Sequence, residues 1–156
     1  MWRFLLLTMV GFGLIWGAPT YAGERVAKAG PTSSGYSFTT DLTYHTIYVY
    51  PSGQAALESD AAERFPPQSM LTVSVMDAAG KPAAGVPVAF EVPQNSMLQG
   101  MLDITPKKAT TGADGKVQAT IQPAPSATRG TGDILVRVDN MTETVGMSLD
   151  MSKIRQ

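Results

Sequence analysis

The sequence predicts an all-β fold, an antiparallel β-sandwich of about seven short strands. Two stretches carry the prediction. Leu71 to Val92, LTVSVMDAAGKPAAGVPVAFEV, reads as two alternating segments hinged on a polar turn containing glycine. A similar turn and strand follow in TTGADGKVQATI, Thr110 to Ile121. A third observation is negative. No internal repeat appears, and the apolar segments are not spaced as alternating strands and helices.

The front of the chain predicts export. Arg3 supplies a positive start, Phe4 to Trp16 is almost unbroken apolar sequence, and Thr20-Tyr21-Ala22 offers small residues for cleavage before Gly23. The apolar run is short for a membrane-spanning helix, which needs roughly 20 residues. An uncleaved anchor is the competing reading of residues 1–22. No Cys follows the run, so no lipid attachment at a new N-terminus is expected. Removal of this segment takes Arg3 and leaves eleven basic and thirteen acidic side chains. That balance carries no basic stripe and argues against nucleic acid. No later apolar run is long enough to insert in a membrane. The chain has no Cys, so stability in an oxidising compartment rests on burial alone. Both Trp residues, Trp2 and Trp16, lie in the signal segment.

The elements then follow in order. Residues 23–42, rich in Gly, Ser and Thr, are expected to be a flexible lead-in, with the sandwich domain spanning 43–156. Thr43 to Tyr50 reads as a first strand, with Ile47 and Val49 on one face and Tyr44, Thr46, Tyr48 and Tyr50 on the other. Gln54 to Arg64 contains good helix formers and predicts a short helix, stopped by Pro66-Pro67. Leu71, Val73 and Val75 mark one buried strand face; Val86, Val88, Phe90 and Val92 mark the next. Asp77 to Pro82 forms the turn between them, with Gly80 free to adopt positive φ. Pro87 predicts an edge strand or a bulge. Pro93 to Thr105 reads as a long connection and Ala113-Asp114-Gly115 as a turn. Val117, Ala119 and Ile121 share the next inner face. Ile134, Val136 and Val138 share another, turning at Asp139-Asn140 into Val145, Met147, Leu149 and Met151.

From about Leu71 to Leu149 the chain resembles the bacterial immunoglobulin-like domains of the invasin and intimin type, group 1. Val73, Val75, Asp77, Gly80 and Pro82 look like the family's V-x-V-x-D-x-x-G-x-P element. Gly85, Val86, Val88 and Phe90 look like its G-V-x-V-x-F strand, and Thr111, Asp114, Gly115 and Val117 like the turn that follows. The resemblance implies an immunoglobulin-like sandwich in an extracytoplasmic setting, with no catalytic residues. Such domains serve as stalks, spacers and adhesive modules. Family members often occur in tandem, whereas this sequence has room for one. The region from Tyr44 to Pro67 is also longer than the pattern expects.

The side chains that carry chemistry are few. His45 is the single histidine, and no nucleophile elbow, HExxH helix or glycine-rich phosphate loop is present. Asp77, Asp114 and Asp139 fall in turns, where Asp bonds the local backbone; a calcium site is the competing reading, but no loop has the ligand spacing. Met97 and Met101 flank the glycine-containing loop NSMLQGM. Thioethers suit Cu(I), so Met97, Met101 and His45 form the candidate metal set, although methionine also fills irregular gaps in cores. The aromatic residues between Tyr36 and Tyr50 are the stronger binding candidate. Outward Tyr44, Tyr48 and Tyr50 offer rigid amphipathic contact area, unless neighbouring chain folds over the rings. The sequence therefore predicts no enzyme and no resident cofactor. It predicts an exported periplasmic or extracellular module that binds an envelope or extracellular protein, with a periplasmic copper binder as the alternative.

Overall fold

Alternation of buried and exposed side chains runs along almost every strand of the computed structural model, which describes residues 28–32, 35–50 and 65–151. The expected signal segment at 1–22 and the expected helix at 54–64 lie outside the described residues. In chain order the strands are β1 (Lys28–Thr32), β2 (Tyr36–Leu42), β3 (Thr46–Val49), β4 (Ser69–Asp77) and β5 (Pro87–Glu91). They continue with β6 (Leu102–Thr105), β7 (Lys108–Thr110), β8 (Lys116–Pro123), β9 (Gly130–Val138) and β10 (Met141–Met151).

These strands form two five-stranded sheets, ordered β1-β2-β4-β8-β6 and β3-β10-β9-β5-β7. Each sheet buries one face. Phe38, Leu71, Val73, Val75 and Ile121 of the first meet Ile47, Val88, Ile134, Val136, Met147 and Leu149 of the second, all essentially inaccessible to solvent. Full burial of each such side chain contributes about 1.5–3 kcal/mol, and this core replaces any disulfide. The order β2-β4-β8-β6 against β10-β9-β5 is the two-sheet arrangement of an immunoglobulin-like sandwich.

The turns rest on local chemistry. Asp77 Oδ1 accepts the backbone N–H groups of Ala79 and Lys81, both at 2.9 Å, while Gly80 adopts φ 73°. Asp114 Oδ1 accepts the N–H of Lys116 at 3.1 Å. Gly115, at φ 70°, admits no side chain, because a Cβ there would lie 2.5 Å from the Val75 carbonyl oxygen. The β9–β10 hairpin turns at Asp139, which accepts φ 53°.

The structure departs from the expectations at five places. The described residues hold ten strands rather than about seven. The lead-in expected over 23–42 is strand β2 from Tyr36 to Leu42, lying between β1 and β4 with Phe38, Thr40 and Leu42 buried. The strand expected over Thr43 to Tyr50 contracts to β3, which pairs in parallel with β10. The connection after Pro93 contains β6, whose Leu102 and Ile104 reach the core. Finally, Pro87 opens β5, which is interior rather than an edge. The missing N–H is harmless there, since β9 ends at Val138, the partner of Val88.

Candidate protein-docking site

The candidate site begins where β3 runs out and the chain returns at Phe65. Tyr48 faces away from the core beside buried Ile47. Its backbone N–H donates to the Pro66 carbonyl at 2.8 Å. Its ring meets Phe65 edge-on, with centroids 4.9 Å apart at 83°. The Tyr50 hydroxyl donates to the Phe65 carbonyl, and partial burial raises the pKa of this phenol above its ordinary value. The returning segment thus fixes both rings while leaving one side of them open.

On that open side lies a groove of about 290 Å³, lined by Tyr48, Val49, Tyr50, Pro67, Gln122, Pro123, Ala124 and Pro125. Among the described residues that line it, no side chain is charged. The far wall is the end of β8 and its loop, held by Ala124 N–H donating to the Met101 carbonyl at 2.9 Å and Ala127 N–H to the Ala124 carbonyl at 2.9 Å. Two tyrosine rings, three prolines and one amide make a stiff amphipathic surface that costs little side-chain entropy to use.

Of the three tyrosines singled out by sequence, the structure brings Tyr48 and Tyr50 into this groove. Tyr44 stands at the other end of β3, exposed, with its N–H donating to Ser69 Oγ at 2.9 Å. Pro67, Gln122, Pro123 and Pro125 were missed as site residues. The signal available was proline, in the pair Pro66-Pro67 and again at Pro123 and Pro125.

The candidate metal ligands each have other surroundings. Met97 is 68% exposed. Met101 packs partly against the core, and its sulfur accepts a hydrogen bond from Thr128 Oγ1 at 3.8 Å. His45 Nδ1 lies 3.1 Å from the Gly146 carbonyl oxygen. Among the described residues, no three His, Cys, Asp or Glu side chains converge in a way that could hold a metal ion. Asp77 and Asp114 are occupied with their own turns. The described residues hold no catalytic or metal-binding cluster, and no helix among them is long and apolar enough to cross a membrane.

No family model matches the chain. No curated protein matches it. Several solved structures are distantly similar. The D00-D0 domain of intimin aligns at TM-score 0.45 and 20% identity, over 81% of this chain and 48% of that one. The periplasmic chaperone SfaE aligns at TM-score 0.46 and 11% identity, over 75% and 59%. Domains 4 and 5 of the S-layer protein SbsC align at TM-score 0.40 and 12% identity, over 72% and 51%. The chain spans about half the length of the structures it matches.

Proposed function

We propose that this chain is an exported, non-enzymatic immunoglobulin-like module that recognises a protein of the cell envelope or extracellular space, as a subunit of a larger assembly. The observation that carries the reading is the Tyr48–Tyr50 groove, whose described lining has proline walls, the amide of Gln122 and no charge. Aromatic side chains held in place by the fold are enriched where proteins dock, and charge is depleted at the centre of such contacts. The export signal at residues 1–22 and the resemblance of Leu71 to Leu149 to invasin- and intimin-type domains support an extracytoplasmic setting. No observation favours the copper reading: Met97 is exposed, the Met101 sulfur accepts from Thr128 Oγ1, and His45 Nδ1 lies beside the Gly146 carbonyl.

The test is a crosslinked pull-down from the native envelope fraction, run in parallel with the wild-type chain and Gln122→Lys. Gln122 is exposed, so a lysine there places a charge in the groove without disturbing the core. The expected result is a stoichiometric protein partner for the wild type and at least a tenfold loss of capture for the variant, the scale of a charge stranded at an interface. Equal capture by both chains would remove the groove from the function.

A further inference from the structure

The hydrogen bonds already made in the groove beside β3 restrict what can enter it. Tyr48 N–H donates to the Pro66 carbonyl, Ala124 N–H to the Met101 carbonyl, and the Tyr50 hydroxyl to the Phe65 carbonyl. Pro67, Pro123 and Pro125 have no N–H to offer. Among the described lining, exposed Gln122 brings the one side-chain amide. An added β-strand does not suit this place. β3 is the end strand of its sheet, but the Tyr48 bond to Pro66 occupies the side turned away from β10. A strand needs a row of free backbone groups to pair with. A sugar suits it no better, because its hydroxyl groups would lie against proline and aromatic carbon without partners.

A proline-rich segment has the needs that this groove meets. In the polyproline II conformation it makes no internal hydrogen bonds, its prolines carry no N–H, and its carbonyls stay in water on the open side. It docks by laying pyrrolidine rings on aromatic rings, with a donor to an occasional carbonyl. Charge is matched on both sides. The described lining carries none and a segment of proline and small residues brings none, so no ion is stranded in the contact. Spacing agrees as well. Tyr48 and Tyr50 stand two residues apart, about 6.7 Å at the repeat of a strand. Residues two apart in polyproline II are about 6.2 Å apart along the axis. Both partners are stiff beforehand, since Phe65 fixes the Tyr48 ring and the ligand's conformation is preset, so little entropy is lost on docking.

We propose that the Tyr48–Tyr50 groove takes a proline-rich segment of the partner protein in polyproline II conformation, with both rings against its prolines and Gln122 Nε2 donating to one of its carbonyls. This rests on the docking reading of the groove and names the chemistry of the partner. Fluorescein-labelled nonaproline, titrated with the full chain and followed by anisotropy, tests it. The wild type is expected to bind with a dissociation constant of about 1 mM or tighter, and a Gly-Ser peptide of equal length not to bind in that range. Raising NaCl from about 50 to about 500 mM should change the affinity less than about twofold, because no ion pair forms. Gln122→Lys should weaken binding about tenfold or more. Tyr48→Phe should keep the affinity within about threefold and Tyr48→Leu lose about tenfold, as for an aromatic anchor. Circular dichroism confirms that each variant remains folded, and exposed Gln122 carries the test if Tyr48→Leu does not. Nonaproline that fails to bind by about 1 mM, or that binds Gln122→Lys as well as the wild type, overturns the proposal. Binding of cellohexaose in its place, with the same dependence on Gln122, overturns it too. The envelope pull-down keeps the two readings apart. Protein capture that depends on Gln122 but resists excess nonaproline overturns the polyproline segment alone, whereas capture indifferent to Gln122→Lys overturns the groove itself.

Discussion

Thr111 shows how much a single buried hydroxyl holds in this fold. It is 4% exposed and joins two segments that chain order keeps apart. Its Oγ1 donates to the Ala83 carbonyl at 2.6 Å and accepts the Val86 N–H at 3.0 Å. Together with the backbone bonds from Gly85 N–H to the Thr111 carbonyl and from Thr111 N–H to the Val86 carbonyl, it fixes the approach to β5. Thr111→Val preserves the shape of the side chain and leaves one buried donor and one buried acceptor without it. The expected cost is about 2–4 kcal/mol. Urea unfolding checks this as a lower midpoint with an unchanged slope, because the surface exposed on unfolding stays the same. An unchanged midpoint would mean that water reaches the Ala83 carbonyl and the Val86 N–H.

At the scale of elements, β2 is the strand on which the first sheet depends. It pairs with β4 from Tyr36↔Asp77 to Leu42↔Leu71 and sends Phe38, Thr40 and Leu42 inward. A chain that starts at residue 43 exposes the pairing edge of β4 and opens the core. Such a chain is expected to lose its cooperative unfolding transition, and Phe38→Ala in the full chain to cost about 3–5 kcal/mol. Circular dichroism during urea titration reads both, and a shortened chain with the wild-type midpoint would refute the role given to β2. The strand was hard to read in sequence for a physical reason. Thr40 occupies a core position, so YSFTTDL lacks a clean apolar period. Its hydroxyl is accommodated inside by Glu143 Oε1 at 3.4 Å, on a strand 103 residues away. Elements whose determinants are local were legible, among them the β4 alternation and the turns at Asp77, Gly80, Asp114 and Gly115. The candidate site divides the same way. Tyr48 and Tyr50 stood out as aromatic residues, but the far wall from Gln122 to Pro125 joins them only through tertiary structure.

At the scale of the whole molecule, the pairing of β3 with β10 closes the second sheet over the longest sequence separation of any strand pairing among the described residues. His45 Nδ1 meets the Gly146 carbonyl across 101 residues of sequence, and the parallel ladder runs from Ser148↔Thr46 to Met151↔Val49. The β9–β10 hairpin is the opposite case, with an unbroken ladder from Met141↔Val138 to Leu149↔Gly130 across one tight turn. Loop-closure entropy is small for the hairpin and large for β3. Folding in milliseconds to seconds, as for other all-β sandwiches, is therefore expected to begin on β9, β10 and β5 and to end with the docking of β3. Ile47 is fully buried on β3 and Val136 fully buried on β9, so the two report on the two ends of this order. Ile47→Val should cost about 1 kcal/mol, seen as roughly fivefold faster unfolding with little change in the folding rate. Val136→Ala should instead slow folding by a large part of its equilibrium loss. Stopped-flow chevrons separate the two limbs, and a folding rate that falls by the whole of the Ile47→Val loss would place β3 in the nucleus and reverse the order.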